Sequence, residues 1–325
     1  MPNANRSDAI GDCELIDPAL VTRFRDDLVG LAGQGEYRIG AAVSGGPDSM
    51  AMLALAAAAF PGRVEAATVD HGLRAAAADE AALVGRFCDG LGVPHRTLRV
   101  SVVHAASIQA AARDARYAAL IGWAQERSLD LIVTAHHADD QAETMLMRLS
   151  RGAGLAGLTG IRANRAQDEI RIVRPLLGWR KAELGAIAAQ IETIDDPSNE
   201  DPRHDRTHIR RLLAADTRLD AARFAAAAHH LAEAEEALAW VTREAIRSRC
   251  VFAADGSIEA DLEGLPRDLQ RRILAQLIET TDSVIDGPTL ERVIESIAAS
   301  RKSSVSGLQI TPGRRIRLEK APPRR

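Results

Sequence analysis

Residues 43–49, VSGGPDS, follow the apolar run RIGAAV at 38–43 and largely decide the fold. The run predicts a buried strand, and the alanine-rich segment after Pro47 predicts a helix. Gly45 and Gly46 let the backbone adopt positive φ angles and approach a ligand closely. Backbone N–H groups in such a turn form a concave nest for an anion, and the positive end of the following helix is directed at the same point. The stretch therefore predicts a phosphate-binding loop between a strand and a helix.

The side chains of this loop indicate a metal ion. Ser44 and Ser49 supply hydroxyl donors, whereas the carboxylate of Asp48 would repel a phosphate. Mg²⁺ between the two removes the conflict, because Mg²⁺ binds carboxylates together with phosphate oxygens. The loop is neither GxxxxGK[ST] nor GxGxxG, and an ordinary glycine turn is the alternative interpretation. The candidate phosphate-binding residues are Ser44, Gly45, Gly46, Pro47, Asp48 and Ser49, with Asp48 as the metal ligand.

Strands alternate with helices through the first two-thirds of the chain, which is typical of a parallel sheet covered on both faces. Apolar runs predict the strands at 38–43, 63–70, 95–100 and 129–135. The segment 195–206, DDPSNEDPRHDR, is rich in turn formers and predicts a loop. The fold class is therefore α/β, with helices on both sides of the sheet.

The composition changes near residue 215, where a helical seam at heptad spacing begins. We predict an N-terminal extension with a first helix at 1–30 and an α/β domain at 31–215. A second, smaller and mostly helical domain is predicted at 216–325.

Further candidate residues fall where the predicted strands end. In a parallel sheet, ligands bind beyond the carboxyl ends of the strands. The second strand ends in VDHGLR, which places Val69, His71 and Arg74 at the same edge as the glycine loop. These residues are candidates for contacts with a nucleotide. For His71, a satisfied surface histidine is the alternative.

A helix predicted at 138–150 carries a cluster of acids on one face. Asp139, Asp140 and Glu143 share that face at about 100° per residue, and the opposite face is apolar. Several carboxylates together favour a metal, a cationic substrate, or one acid with a raised pKa. A solvated helix face is the alternative, and the position at the active edge of the sheet argues against it.

Arginines provide the candidate anion contacts. Arg116 lies three residues after Arg113 on one helical face and can neutralise phosphate charge; an exposed arginine paired with an acid is the alternative. A local basic cluster consists of Arg203, Arg206, Arg210 and Arg211. The formal net charge is −4, so any nucleic acid would have to be bound by such a local cluster rather than by an overall basic field.

Composition excludes several other classes of protein. The chain has 3 cysteines, and none of them forms a CxxC, which argues against a disulfide framework or a cysteine zinc site. No run of about 18 apolar residues predicts a membrane span. The polar N-terminal residues do not resemble a secretory signal, so we expect a cytoplasmic protein.

Taken in order, the motifs resemble those of a known family. The segments SGGPDS, VDHGLR, ARDARY, HHADDQAETMLMRLSRGAGLAGLTG, RPLL and DDPSNEDPRHDRTHIR are similar to those of the tRNA(Ile)-lysidine synthases. That family belongs to the ATP pyrophosphatase group, which is marked by an SGGxDS loop. The resemblance covers about residues 39–211. One departure is Thr207, where the family pattern has asparagine.

The resemblance implies a Rossmann-like fold of the adenine nucleotide alpha hydrolase type, with a PP-loop catalytic domain at 31–215 and a tRNA-contacting domain at 216–325. It implies that ATP, with Mg²⁺, adenylates O2 of the wobble cytidine in isoleucine tRNA with a CAU anticodon. The ε-amine of free L-lysine then attacks C2. The resemblance leaves open whether the enzyme is a homodimer.

The same resemblance assigns roles to the candidate residues. Asp48, Asp140, Glu143 and Arg116 become catalytic candidates. One of Asp140 and Glu143 would hold an ammonium group and the other would take a proton, and the assignment between them is open. The substrate-binding candidates are Asp139, Asp140, Glu143, Arg203, Arg206, Arg210 and Arg211.

Three other functions remain as alternatives. An ATP-dependent tRNA thiolase shares the loop but needs a reactive cysteine or a cysteine-bound cluster near the sheet edge. An amide-forming ATP pyrophosphatase acting on a small metabolite would not need the arginine cluster. A non-catalytic nucleotide-binding module would have little use for Asp48 together with the acids at 139–143.

Overall fold

The structure is a computed structural model that describes residues 16–70, 76–100, 108–194, 205–281 and 285–321, without the side chains of 76–78 and 108–110. It divides into two compact units, Met1–Ala232 and Glu233–Arg325. The division falls within a helix and lies after the boundary expected near 215. His71, Arg74 and Arg203 lie outside the described residues, so the predictions for them stay predictions.

The first unit is built on a mostly parallel sheet. Its described strands are β1 (Ile39–Ala42), β2 (Val64–Asp70), β3 (His95–Arg99), β4 (Leu131–Val133), β5 (Asn164–Gln167) and β6 (Ile170–Val173). The strand order is β3-β2-β1-β4-β6-β5, and β5 alone among these strands runs antiparallel to its neighbour. The chain moves outward from β1 to β3 and then returns to the other side of β1 with β4. The strand order therefore reverses between β1 and β4, the place where such sheets bind ligands.

Helices cover both faces of this sheet. The described helices of the unit are α1 (Pro18–Ala32), α2 (Pro47–Ala59), α3 (Ala76–Leu91), α4 (Ile108–Glu126), α5 (Ala138–Ser150), α6 (Leu155–Leu158), α7 (Lys181–Ala188) and α8 (Asp205–Ala215). A ninth, α9 (Ala221–Arg249), crosses into the second unit. The expected α/β architecture is confirmed, and the four strands expected from apolar runs correspond to β1, β2, β3 and β4.

The hydrophobic core lies on the two faces of the sheet. On one face, α2 is buried along nearly its whole length from Ser49 to Ala56, because its sequence is apolar all round. Phe24 and Leu28 of α1 are fully buried in the same cluster. The first helix expected within 1–30 is therefore present as α1, and it is part of the first unit's core. On the other face, α4 packs Leu120 and Trp123 against the strands.

The second unit contains helices, as the sequence predicts, together with an antiparallel sheet that the sequence does not predict. Besides part of α9 it contains β7 (Cys250–Phe252), β8 (Ile258–Ala260), α10 (Arg267–Glu279), α11 (Gly287–Ala298), β9 (Ser303–Val305), β10 (Leu308–Thr311) and β11 (Ile316–Lys320). The described strands form an antiparallel sheet in the order β7-β8-β11-β10-β9. Apolar side chains of α10 and α11, among them Leu274 and Ile294, pack in one cluster with Ile310 and Leu318 of this sheet. The unit is therefore a small sheet packed with helices.

Within the described segments, none of the helices combines the length and the apolar character that crossing a membrane would require.

Substitution of Gly45 in the glycine loop tests the backbone conformation around the site. Gly45 has φ +86°, and a Cβ added there would meet its neighbours only at ordinary contact distances of 3.7 Å or more. We expect Gly45→Ala to lower the free energy of unfolding by about 1–2 kcal/mol through backbone strain alone. The measurement is urea denaturation.

The matched control makes the same chemical change inside a helix. Gly122 is exposed on α4, and a Cβ there meets no atom within 4 Å. Gly122→Ala should raise the free energy of unfolding by about 0.5–1 kcal/mol. Equal effects of the two substitutions would contradict the role given to the φ angle of Gly45.

Candidate active site

The glycine loop connects β1 to α2 and is closed by its own side chains. Gly46 is the N-cap of α2 and Pro47 is its first residue, so the first N–H groups of the helix face the loop. The Ser49 hydroxyl donates to Gly46 O at 2.9 Å and accepts the Ser44 N–H at 3.1 Å. This arrangement fixes the turn that presents the helix N-terminus. The loop is suited to binding an anion through backbone donors.

The two serines have different roles from those expected. Ser49 is buried and its hydroxyl proton goes to Gly46 O, so it shapes the loop. Ser44 is exposed and lies 3.2 Å from Ser49 by their hydroxyl oxygens. Because Ser49 already donates to Gly46, Ser44 is the donor in this pair. Direct donation from the two hydroxyls to a phosphate stays a prediction, and the Ser49 hydroxyl would have to leave Gly46 O to make it.

Asp48 meets the acidic helix through a histidine. His137 lies just before α5, and its Nε2 is 3.5 Å from an oxygen of Asp48 and 3.5 Å from an oxygen of Asp140. Burial alone would lower the pKa of His137, but contact with Asp48 and the charges of Asp140 and Asp139 raise it above its ordinary value. The imidazole of His137 therefore links the loop to α5. The Oδ1 atom of Asp48 is buried and has no hydrogen-bond partner in the described part of the chain.

Glu143 is the deepest acid of the cluster, with 2% of its surface exposed. Arg206 Nε donates to Glu143 Oε2 at 2.5 Å, and Arg210 Nε donates to Glu143 Oε1 at 2.7 Å. A second guanidinium nitrogen of Arg206 donates to Asp140 at 2.6 Å. Burial would raise the pKa of Glu143, but these hydrogen bonds and charges lower it below its ordinary value of 4.5. Glu143 is thus held as a carboxylate that already binds cations.

These contacts change the interpretation of the basic cluster. Arg206 and Arg210 lie on α8, which packs against α5, and they form ion pairs with Asp140 and Glu143. Arg211 of the same helix is exposed. Contact of these three arginines with the tRNA backbone stays a prediction, and Arg206 and Arg210 would have to leave the acids to make it.

Asp139 contacts both His137 and the start of α7, with its carboxylate 3.7 Å from His137 Nδ1. Its carboxylate accepts the backbone N–H of Lys181 at 2.8 Å and lies 3.6 Å from Arg180 Nε. It therefore anchors the start of α7. The predicted contact of Asp139 with the substrate stays a prediction.

Of the residues expected at the end of β2, the structure describes Val69. Val69 and Asp70 end β2 and are half-buried. β2 pairs in parallel with β1, and Val43 at the start of the loop donates to Ala67 O at 2.9 Å. Val69 is thus at the expected edge of the sheet.

A separate group of arginines surrounds His136. The imidazole is bonded through Nδ1 to the Thr134 hydroxyl at 2.9 Å. Burial first, and then the charges of four arginines, lower its pKa well below 6.5. Those arginines are Arg174, Arg116, Arg113 and Arg206. Arg116 is half-buried, and burial lowers the pKa of its guanidinium. Arg116 therefore lies close enough to His136, which comes shortly after β4, for its charge to act on that imidazole.

Four features of the site escape prediction from sequence. The sequence analysis does not predict that His137 links Asp48 to Asp140, or that Arg174 is a buried cation. It also does not predict the neutral His136 or the helix α8. His136 and His137 follow the predicted strand at 129–135, and Arg174 precedes the segment PLL at 175–177. Ligands bind beyond the carboxyl ends of parallel strands, and this principle could have identified all three residues as candidates. For α8, the segment before it is rich in turn formers, which obscures where the helix begins.

Comparison with known proteins gives consistent results. Residues 20–216 match the family model described as "PP-loop domain". A tRNA(Ile)-lysidine synthase of Novosphingobium aromaticivorans is 43% identical over 294 residues, which cover 89% of this chain and 89% of that protein. One from Zymomonas mobilis is 40% identical over 298 residues, covering 89% of this chain and 90% of that protein.

A solved structure shares the fold at low sequence identity. It is the U34-tRNA thiolase NcsA from Methanococcus maripaludis with its [4Fe-4S] cluster. The TM-score is 0.55 at 15% identity, over 66% of this chain and 79% of that chain. This likeness concerns the fold alone.

The ion pairs of Glu143 predict a pH-dependent stability. Because the folded-state pKa of Glu143 is depressed, its contribution is present above about pH 4.5 and is lost as the pH falls through the folded value. Glu143→Gln should therefore destabilise the protein by about 1.5–3 kcal/mol at pH 7, and this difference should shrink below pH 4.5. The measurement is urea denaturation of both proteins from pH 7 to pH 3.

The control is Glu36→Gln. The Glu36 side chain is 88% exposed in its ion pair with Arg63, so little change is expected at any pH. A difference between the parent protein and Glu143→Gln that stays constant down to pH 3 would contradict the depressed pKa.

Proposed function

Because this chain belongs to the tRNA(Ile)-lysidine synthase family, we propose that it ligates free lysine to C2 of the wobble cytidine in isoleucine tRNA with a CAU anticodon. The reaction consumes ATP and proceeds through a cytidine adenylated on O2. The observation that carries the proposal is the meeting of the glycine loop with buried, ionised acids at the edge where the strand order reverses.

In the first step the cytosine O2 attacks the α-phosphate of ATP, and pyrophosphate leaves. The N–H groups of the loop and of the first turn of α2 are suited to holding that leaving group. Asp48 is suited to bind the metal ion, because its buried Oδ1 has no hydrogen-bond partner among the described residues and Mg²⁺ prefers carboxylate oxygens. When bound, Mg²⁺ would neutralise charge that develops on the pyrophosphate.

In the second step the lysine ε-amine attacks C2, the bond from C2 to O2 breaks, and AMP leaves. The amine must lose a proton in this step. Glu143 and Asp140 are carboxylates at the same edge, and both already bind guanidinium cations in the absence of lysine. A site that holds a guanidinium also suits an ammonium group, and one of these carboxylates can take the proton.

Lysine and the arginines of α8 would then compete for the same acids. The side chains of Arg206 and Arg210 are 43% and 41% exposed, so they have room to turn away, whereas Glu143 is fixed in the interior. Entry of an ammonium would release one guanidinium from Glu143. The released arginine becomes available to an incoming phosphate or carboxylate.

The tRNA must deliver its cytosine out of the anticodon stack. Unstacked loop bases are readily splayed out, so the cost of extrusion is modest for an anticodon loop. The net charge of −4 means that local cations must hold the backbone, and the exposed Arg211 is a candidate.

The tRNA thiolase alternative is less well supported. It would need a reactive cysteine near the site. Cys88 is buried in the core, and burial raises its pKa to about 12. Cys250 belongs to the second unit, and burial raises its pKa as well. Neither of these described cysteines has the lowered pKa that such chemistry uses.

The proposed function is tested by incubating the purified protein with ATP, Mg²⁺, radiolabelled lysine and total tRNA. Lysine should enter one tRNA, and pyrophosphate and AMP should form in equal amounts. Dependence on a sulfur donor would select the thiolase instead. The homodimer that the sequence left open is tested by sedimentation of the same preparation, in which a monomer has a mass of 34.8 kDa.

Substitutions of the acids should separate the two steps. We expect Asp48→Ala to abolish pyrophosphate release. Glu143→Gln and Asp140→Asn should keep ATP binding but lower the rate of lysine transfer by about 10²–10⁴-fold, the usual value of general acid–base catalysis. Single-turnover assays with preformed adenylated tRNA measure the second step by itself.

The matched control is Asp89→Asn, an exposed acid on α3. It should leave both steps unchanged. If Asp48→Ala remained as active as the parent protein in pyrophosphate release, the proposed nucleotide site would be wrong.

A further inference from the structure

Arg180 occupies an unusual position for an arginine, the N-cap of α7. The usual residue there is serine, threonine, aspartate or asparagine, whose side chain accepts a backbone N–H of the first turn. A guanidinium has no acceptor atom, so Arg180 cannot do this. Asp139 of α5 instead accepts the Lys181 N–H at 2.8 Å. The side chain of Arg180 is therefore not needed for capping, and it extends towards two carboxylates.

These carboxylates belong to different parts of the first unit. Arg180 Nη1 donates to Asp220 Oδ1 at 2.6 Å, whereas Arg180 Nε lies 3.6 Å from Asp139 Oδ2, beyond hydrogen-bond distance. Arg180 Nε is also buried and has no hydrogen-bond partner in the described part of the chain. A buried donor in this state is costly. A shift of about 0.5 Å towards Asp139 would bring Nε within hydrogen-bond distance, so the guanidinium has a second arrangement close by.

Asp220 is the residue that begins α9. Its Oδ1 also accepts the Ala222 N–H at 3.1 Å, and its backbone oxygen accepts the Arg223 N–H at 3.0 Å, which together cap the first turn. Helix α9 then continues into the second unit. The resemblance of the sequence implies tRNA contact for the region that contains this helix, 216–325. The ion pair therefore joins Arg180 to the start of a helix that belongs to that region.

Asp139 joins Arg180 to the site described above. It lies in the first turn of α5, directly before Asp140, and its carboxylate is 3.7 Å from His137 Nδ1. The Nε2 atom of the same imidazole is 3.5 Å from an oxygen of Asp48. A continuous series of polar contacts thus leads from the glycine loop through Arg180 to the start of α9.

We propose that Arg180 is a positioning residue that couples nucleotide binding at the glycine loop to tRNA binding through the start of α9. This inference rests on the proposed function, which supplies both ligands. Arg180 acts through Asp139 and Asp220 and touches neither ligand itself. A cation between two acids can be drawn towards either of them, and two ligands that favour the same arrangement strengthen each other's binding.

The exposure of the pair separates this role from a purely structural one. The side chains of Arg180 and Asp220 are 42% and 34% exposed, and ion pairs with this much solvent contribute little to stability. Loss of the pair should therefore leave the fold and the affinity for nucleotide alone intact. The quantity that should change is the effect of one ligand on the affinity for the other.

The experiment measures the Kd of isoleucine tRNA for the full chain, with and without Mg²⁺ and a non-hydrolysable ATP analogue. We expect the wild-type protein to bind tRNA about tenfold more tightly when the nucleotide is present, a common size for coupling between two sites. Arg180→Gln should reduce this ratio to about twofold or less. The Kd of the nucleotide alone should stay at the wild-type value.

A second variant removes the same ion pair from its other end. Asp220→Asn takes away the charge but keeps an oxygen that can cap α9, because asparagine is as good an N-cap as aspartate. It should lower the ratio as much as Arg180→Gln, and the double variant should lower it no further. The matched control is Arg218→Gln. Arg218 pairs with Asp216 at 2.6 Å shortly before α9 and is 87% exposed, so the wild-type ratio should remain.

Three results would overturn the inference. The first is a wild-type affinity for tRNA that does not change when the nucleotide is added. The second is a wild-type ratio in Arg180→Gln or, should that variant fail to fold, in Asp220→Asn. The third is an equal loss of the ratio in Arg218→Gln, which would assign the effect to the general charge near α9. Each of these leaves the proposed function standing if lysine still enters isoleucine tRNA, whereas absence of lysine incorporation by the wild-type protein defeats both.

Discussion

Concentration of negative charge at one sheet edge is the constraint on which the site depends. Asp48, Asp140 and Glu143 come from two different helices and approach one another around His137 and the arginines of α8. Ionised carboxylates this close repel one another unless cations lie between them. In this structure the guanidinium groups of Arg206 and Arg210 provide those cations, and His137, whose pKa is raised by the nearby acids, lies between Asp48 and Asp140. The substrates of the proposed reaction, a metal-bound triphosphate and a basic amino acid, are suited to replacing them.

The sheet topology makes this concentration feasible. Because β1 and β4 are neighbours at the reversal of strand order, the helices that follow them begin side by side. The positive N-terminal ends of α2 and α5 then favour anions at the same place, beside Asp48 and Asp140. The closed turn at Gly45 and Ser49 fixes the first of these ends. The charge pattern of the site therefore follows from the backbone arrangement together with a few capping residues.

The parts of this arrangement that local sequence encodes could be predicted. Buried parallel strands are apolar runs, so β1 to β4 are visible in the sequence, and helical periodicity places Asp140 and Glu143 on one face. The acids and the glycine loop are consequently found at the expected edge. These are properties of one segment at a time, and they need no knowledge of distant contacts.

The remaining parts depend on contacts between distant segments. Arg206 and Arg210 are far from Glu143 in sequence, and the pattern of arginines alone suggested an RNA surface. The capping role of Asp139 at Lys181 likewise appears only when α7 is placed beside α5. In the second unit, strands of three to five residues such as β9 and β11 are too short for periodicity to distinguish them from loops.

A crystal structure with Mg²⁺ and a non-hydrolysable ATP analogue tests the central claim most directly. The account predicts the triphosphate against the backbone of 44–49, with the metal about 2.1 Å from an oxygen of Asp48. Glu143 and Asp140 should lie on the same side of the sheet as the α-phosphate, facing the space left for a pyrimidine. A nucleotide bound at the opposite edge of the sheet, or a metal held without Asp48, would contradict it.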